Sequence, residues 1–302
     1  KIPWEFDADV PFRWQPANPN FGIFCNAFTF IAVPFEKYII ASLRQAQDRL
    51  DENPDVAAEA EAFLRQEAQH AAAHRKHMLA LIARYPELEE CYQETVHSYD
   101  RLLAAHPVEY HAAYIANLEA TFTPLFKVFL DNRTSMFDGG DPRVASLMMW
   151  HFVEEIEHRS SAEIVFAGVV GNPWYQLRML PRAMRHVTGI TRLIADGFGG
   201  AVPAEDMGVA AEAATGAIWR TEALARTPLL RRFITPGYPT MFNGIPTRDL
   251  FKLVGGLLIS QIPNHHPGDV KAPEWFHTWM QSYAAGADMA HFYGTGAIAD
   301  AR

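Results

Sequence analysis

The feature that most constrains this chain is a pair of Glu-x-x-His runs in two long helical stretches, Glu67-Ala-Gln-His70 and Glu155-Ile-Glu-His158. At about 100° per residue, positions three apart lie one turn along on nearly the same helix face, so each run offers a carboxylate and an imidazole to one point. Two such grips make a joint demand on the rest of the chain. Helical bundles that hold two metals take a Glu-x-x-His from each of two helices and a lone Glu from each of the other two.

Both lone carboxylates are present. Glu36 stands in the apolar run Phe30-Ile-Ala-Val-Pro-Phe-Glu36-Lys-Tyr-Ile-Ile40, and Glu119 in Tyr114-Ile-Ala-Asn-Leu-Glu119-Ala-Thr-Phe-Thr-Pro-Leu-Phe126. A carboxylate in an apolar core is costly to ionise, and coordination to a cation is one of few arrangements that offset the cost. His151 precedes Glu155 by four residues and projects within about 60° of both Glu155 and His158, which offers a seventh ligand. The expected metal set is therefore Glu36, Glu67, His70, Glu119, His151, Glu155 and His158. His74, one turn past His70, rivals His151 for the extra position, or supports a ligand or carries a proton. His74, and still more His77, equally read as solvated or locally satisfied side chains. Glu154 and Glu157 point about 60° or more from the stripe and read as surface charge or as support behind the ligands. Met148-Met149-Trp150 reads as core packing.

The helical pattern places these residues. Residues 1–24, rich in proline, tryptophan and phenylalanine, read as an extended arm. A first helix is expected over 26–50, with Pro34 as a cost inside it. Asn53-Pro54 supplies a cap and a first-turn proline for a second helix over 55–84. After a connector at 85–106 with an extra helical piece, helices follow over 107–131 and 142–170, the latter stopped by Gly171-Asn172-Pro173. A short first link and a long second link suit a ferritin-like crossover. A fifth helix over 174–195, a glycine-rich break at 197–200 and shorter helices complete an all-α fold. The organisation is an arm (1–24), a ferritin-like dimetal bundle (25–200) and a C-terminal helical or irregular extension (201–302).

Composition narrows the setting. A net charge of −9 does not suit a phosphate-tracking partner, so nucleic acid is not expected. Cys25 and Cys91 make no disulfide framework and no C-x-x-C, which fits a reduced, cytoplasmic setting. The longest apolar runs, at 21–35 and 250–262, are interrupted, so no transmembrane segment is expected.

The run Trp150-His-Phe-Val-Glu-Glu-Ile-Glu-His158-Arg, with Arg65-Gln-Glu67-Ala-Gln-His70-Ala upstream, resembles the bacterial family labelled "predicted metal-dependent hydrolase". The order Glu36, Glu67-x-x-His70, Glu119, His151-x-x-x-Glu155-x-x-His158 is similar in spacing to the arylamine N-oxygenases, ferritin-like di-iron enzymes with an additional histidine. That second resemblance implies Glu36 and His70 on one iron, Glu119, His151 and His158 on the other, and Glu67 and Glu155 as bridges.

These readings favour two iron ions, with manganese or zinc compatible with the same ligands. Val33, Ile39, Ile40, Phe63, Ile115, Phe122 and Met148 surround the ligands with apolar groups, and Thr123 adds a hydroxyl as a candidate catalytic group. A water-poor site suits an oxygenase or oxidase that uses O2 and an external electron donor on a small, mainly apolar substrate. A dinuclear hydrolase is the alternative, requiring water at the metals and polar groups nearby. Ferritin-like iron binding is the third reading. The tail, including 236–242 and the loop histidines His265 and His266, is material for a substrate cover or for self-association as a homodimer.

Overall fold

The computed structural model describes residues 2–209 and 240–295, and among these every regular element is helical. In chain order the helices are α1 (Pro19–Gln45), α2 (Gln47–Leu50), α3 (Pro54–Arg84), α4 (Leu88–Ala105), α5 (Val108–Asp131), α6 (Arg133–Phe137), α7 (Pro142–Glu157), α8 (Ser161–Val169), α9 (Pro173–Ala201) and α10 (Ala204–Met207). In the second described stretch lie α11 (Thr247–Ser260) and α12 (Phe276–Ala284).

One local code starts four of the long helices. Asn18-Pro19, Asn53-Pro54, Asp141-Pro142 and Asn172-Pro173 each put an Asx side chain at the N-cap and proline in the first turn. The Asx oxygen accepts from an otherwise orphaned first-turn N–H, while proline has no N–H to satisfy. Each cap contributes about 1 kcal/mol. Asn18 Oδ1 accepts from the Phe21 amide at 3.2 Å, so α1 begins seven residues before the expected start at 26. Pro34 and Pro124 both lie inside continuous helices, α1 and α5.

Residues 2–18 pack along the bundle, burying Trp4, Val10, Phe12 and Trp14, while 19–24, expected in the arm, belong to α1. Gln15 Nε2 donates to the Met136 carbonyl at 2.8 Å and Asn26 Nδ2 to the Phe12 carbonyl at 2.8 Å, tying the arm to the start of α1 and to α6.

α1 packs on α3, and α5 on α7 and α8, with α1–α5 and α3–α8 contacts closing a four-cornered bundle. The long link carries α4, which packs on α1 and α9. α1 is long and apolar enough to cross a membrane, but 89% of its most apolar window is buried within the fold, as in a core helix. Cys25 and Cys91 are buried free thiols.

Two helical expectations are corrected. The helix expected over 142–170 is two, because α7 ends at Glu157 with His158 as its C-cap, and Arg159 turns out to bond the carbonyls of Ile156, Pro267 and Gly268. The glycine break at 197–200 does not occur, since α9 runs through to Ala201. Gly197 there serves packing instead: a Cβ on it would stand 2.7 Å from Cys91 Cβ, so only glycine lets α9 lie this close to α4.

A buried histidine and glutamate centre

All seven expected ligands are buried, none above 7% exposure. α1 brings Glu36, α3 brings Glu67 and His70, α5 brings Glu119, and the end of α7 brings His151, Glu155 and His158. Two groups have ligand atoms within 4.8 Å of one another: Glu67, His70, Glu155 and His158, and then Glu36, His70 and His151. Glu155 links the two, with Oε1 3.0 Å from His151 Nε2 and Oε2 3.4 Å from His158 Nε2. Glu67 Oε1 reaches His158 Nε2 at 3.5 Å. Glu119 lies outside both groups but shares a hydrogen bond with Glu155.

His151 therefore stands with Glu36 and His70, and not with Glu119 and His158 as the spacing resemblance implied. Seven residues of α-helix separate His151 from His158 by about 10 Å along the axis. The two imidazoles point to successive levels of the bundle.

The electrostatics are those of crowded acids. Burial, followed by the charge of Glu155, holds Glu36 well above the usual carboxylate range. Burial and the Glu155 charge do the same for Glu67 and for Glu119. For Glu155, burial works upward, but the imidazoles of His158 and His151 outweigh it and hold this carboxylate well below the usual range. Burial pulls His158 down, and Glu155 with its acidic neighbours outweighs it, leaving His158 raised. Burial lowers His151 to about 4.

Several ligand atoms have no hydrogen bond of acceptable geometry although fully enclosed: Glu36 Oε2, Glu67 Oε1, His70 Nδ1 and both ring nitrogens of His158. Buried polar atoms without partners are rare in folded proteins. When orphaned oxygens and nitrogens converge from three helices, the donor set fits cations, and mixed imidazole and carboxylate donors suit iron, manganese or zinc.

The supporting residues were the least legible ones. Glu154 is buried, and accepts from Trp150 Nε1 at 2.7 Å while standing 3.1 Å from His70 Nε2. That contact fixes the His70 proton on Nε2 and turns Nδ1 to the centre. The i, i+4 pair Trp150–Glu154 was the available signal, although Trp150 reads as core from sequence.

His74 belongs to neither ligand group. Its Nε2 stands 2.9 Å from His151 Nδ1 and its Nδ1 2.9 Å from Thr29 Oγ1, which also reaches His77 Nδ1 at 3.2 Å. The solvated reading of His77 is thus overturned: it is fully buried, with Phe6 of the arm against its ring, and burial lowers it to about 3.

Aromatic edges wall the centre. Phe28 meets His151 at 5.0 Å, Phe63 meets His158 at 5.5 Å and Trp150 meets His70 at 5.1 Å between ring centroids. Phe63 was expected in this wall; Phe28 was not. Thr123 donates to the Glu119 carbonyl at 3.3 Å and lines a cavity between α5 and α11.

Glu-x-x-His occurs four times in the chain. Glu94–His97 on α4 and Glu274–His277 beside α12 are exposed, and only the two pairs on α3 and α7 meet inside.

Fold and site together define a helical-bundle protein with a buried glutamate and histidine centre able to hold metal. The chain belongs to the family described as predicted metal-dependent hydrolase, whose model matches residues 1–238. The resemblance seen in the two motif runs is thereby borne out. Neither a curated protein nor a solved structure gives a match. The family description names hydrolysis, so it lends no support to the expected oxygenase or oxidase activity.

Proposed function

We propose that the chain is a hydrolase whose centre holds two divalent cations among Glu36, Glu67, His70, Glu119, His151, Glu155 and His158. The observation that carries the metal reading is the convergence of buried, unpartnered ligand atoms from α1, α3 and α7. Cations bound there would supply Lewis acidity and bring the pKa of a water to about 7.

The chain's own residues do the rest. Glu155 joins the two ligand groups, Glu154 holds the His70 tautomer, and His74 holds His151. Hydrolysis is favoured by a void of about 10 Å³ against Glu119, also lined by Arg159, Glu163, Gln176, Ser260 and His265. That is roughly the space one water needs, with polar groups on its walls. A water there would stand against Glu119; in the reaction its hydroxyl adds to the acyl carbon of an ester or amide, the bond from that carbon to the leaving oxygen or nitrogen breaks, and the water's proton goes to that leaving group.

The aromatic wall at His151 supports a second reading, a di-iron oxygenase or oxidase drawing on O2 and an external electron donor. Two measurements separate the readings. Metal analysis should find about two equivalents per chain, falling sharply in Glu67→Ala and His158→Ala; unchanged content in both variants would place the metals elsewhere. A screen of neutral esters by pH-stat and of neutral amides by amine release should give metal-dependent turnover without oxygen uptake. Iron with oxygen consumption after anaerobic reduction, and neither acid nor amine release, would overturn hydrolysis in favour of the second reading.

A further inference from the structure

Behind the void lies a cavity of about 520 Å³ between α5 and α11, within the range of small-molecule sites. Its walls are aliphatic, built from Pro124 and Val128 on α5, Leu253 and Ile259 on α11, and Val270 on the following loop. Among the described residues that line it there is no Phe, Tyr or Trp, and the one aromatic ring is the His265 imidazole. Gly256 brings α11 against α5: a Cβ there would stand 2.9 Å from Pro124 Cβ.

The charges around it cancel locally. Lys127 pairs with Asp131 at 2.7 Å and Lys252 with Asp249 at 2.8 Å, while exposed Asp269 and Lys271 add one charge of each sign. The cavity therefore offers apolar surface without a net charge to match, and no ring on which to stack along its aliphatic walls, the His265 imidazole standing at the inner end. Its inner end shares Ala120, Ser260, His265 and Pro267 with the water-sized void, whose far wall is Glu119.

The geometry points to this cavity as the substrate chamber, which takes a neutral molecule with an aliphatic body and presents its polar end to the void at Glu119. On the hydrolase reading, on which only the reactive end depends, the substrate is an aliphatic ester or amide. The aliphatic body follows from the chamber walls alone.

The test is calorimetric titration of the full-length protein, metal-loaded and chelated, with 1-octanol, octanoate and octylamine. Saturable 1:1 binding of 1-octanol is expected in both forms, at least ten-fold tighter than either charged analogue. Ile259→Trp on α11, at an exposed position, and Val270→Trp on the following loop, at a half-buried one, should each weaken it at least ten-fold with metal content unchanged. Hydrogen exchange in the wild type should show 1-octanol protecting α11 and residues 263–271, an outcome independent of how the variants fold. Absence of 1-octanol binding, equal binding by folded variants, tighter binding of a charged analogue, or protection elsewhere would overturn the proposal. Octanol binding without methyl octanoate hydrolysis would keep the chamber and sink the hydrolase reading. Ester hydrolysis indifferent to chain length and to both tryptophans would do the reverse.

Discussion

Replacing Glu154 with glutamine tests the centre through a residue outside the ligand set. The wild-type carboxylate faces two donors, the Trp150 indole N–H at 2.7 Å and His70 Nε2 at 3.1 Å. A glutamine keeps the shape but offers one oxygen and one NH2, so one of the two donors meets another donor. If the amide oxygen stays on Trp150, His70 must move its proton to Nδ1, the nitrogen that faces Glu67 and Glu155 at 3.9 and 3.6 Å. A protonated Nδ1 cannot hold a cation.

Loss of such a support typically lowers metal affinity about 10- to 100-fold, which is about 1.4–2.7 kcal/mol. The assay is competition for metal with a calibrated chelator, using the wild type, Glu154→Gln and Trp150→Phe. Trp150→Phe removes the other donor and leaves the contact to His70, so it should lie within about three-fold of the wild type. Glu154→Gln affinity equal to wild type, or an equal loss in Trp150→Phe, would refute the assignment of Glu154 as the residue that sets the His70 tautomer.

Metal removal should destabilise the protein more as pH rises. Glu36, Glu67 and Glu119 are raised above their ordinary value of 4.5, so the metal-free fold keeps protons that the unfolded chain releases. That stability is complete below the unfolded value and is lost with rising pH; chelation should lower Tm more at about pH 7.5 than at pH 5.5, and the opposite order would contradict these shifts. His77 works the other way: buried neutral at about 3 against 6.5 unfolded, it contributes fully above the unfolded value and loses that contribution as pH falls. Between pH 7 and 5 the loss is about 2 kcal/mol, and urea titrations of His77→Gln should show a correspondingly shallower acid dependence. Gly197→Ala should cost about 1–3 kcal/mol by overpacking against Cys91 Cβ. Adding Cys91→Gly should recover part of that, a coupling that a double-mutant cycle reads directly.

The sequence by itself determined the all-helical class, most helix starts and the buried carboxylate stripe. Asx-Pro pairs and 3.6-residue periodicity are local signals, and a lone Glu in an apolar run is conspicuous wherever it packs. The sequence singled out the two Glu-x-x-His runs that meet, while tertiary structure shows that Glu94–His97, with the same helical spacing as Glu67–His70, lies on an exposed face. Packing also turned Glu154 and His77 inward and grouped His151 with Glu36 and His70, and α7 stops at Glu157 with His158 as its cap. The chamber behind Glu119 is wholly a product of packing, because its two walls lie more than a hundred residues apart in the chain. Helical spacing fixes which residues share a face; only the neighbouring helices fix what that face meets.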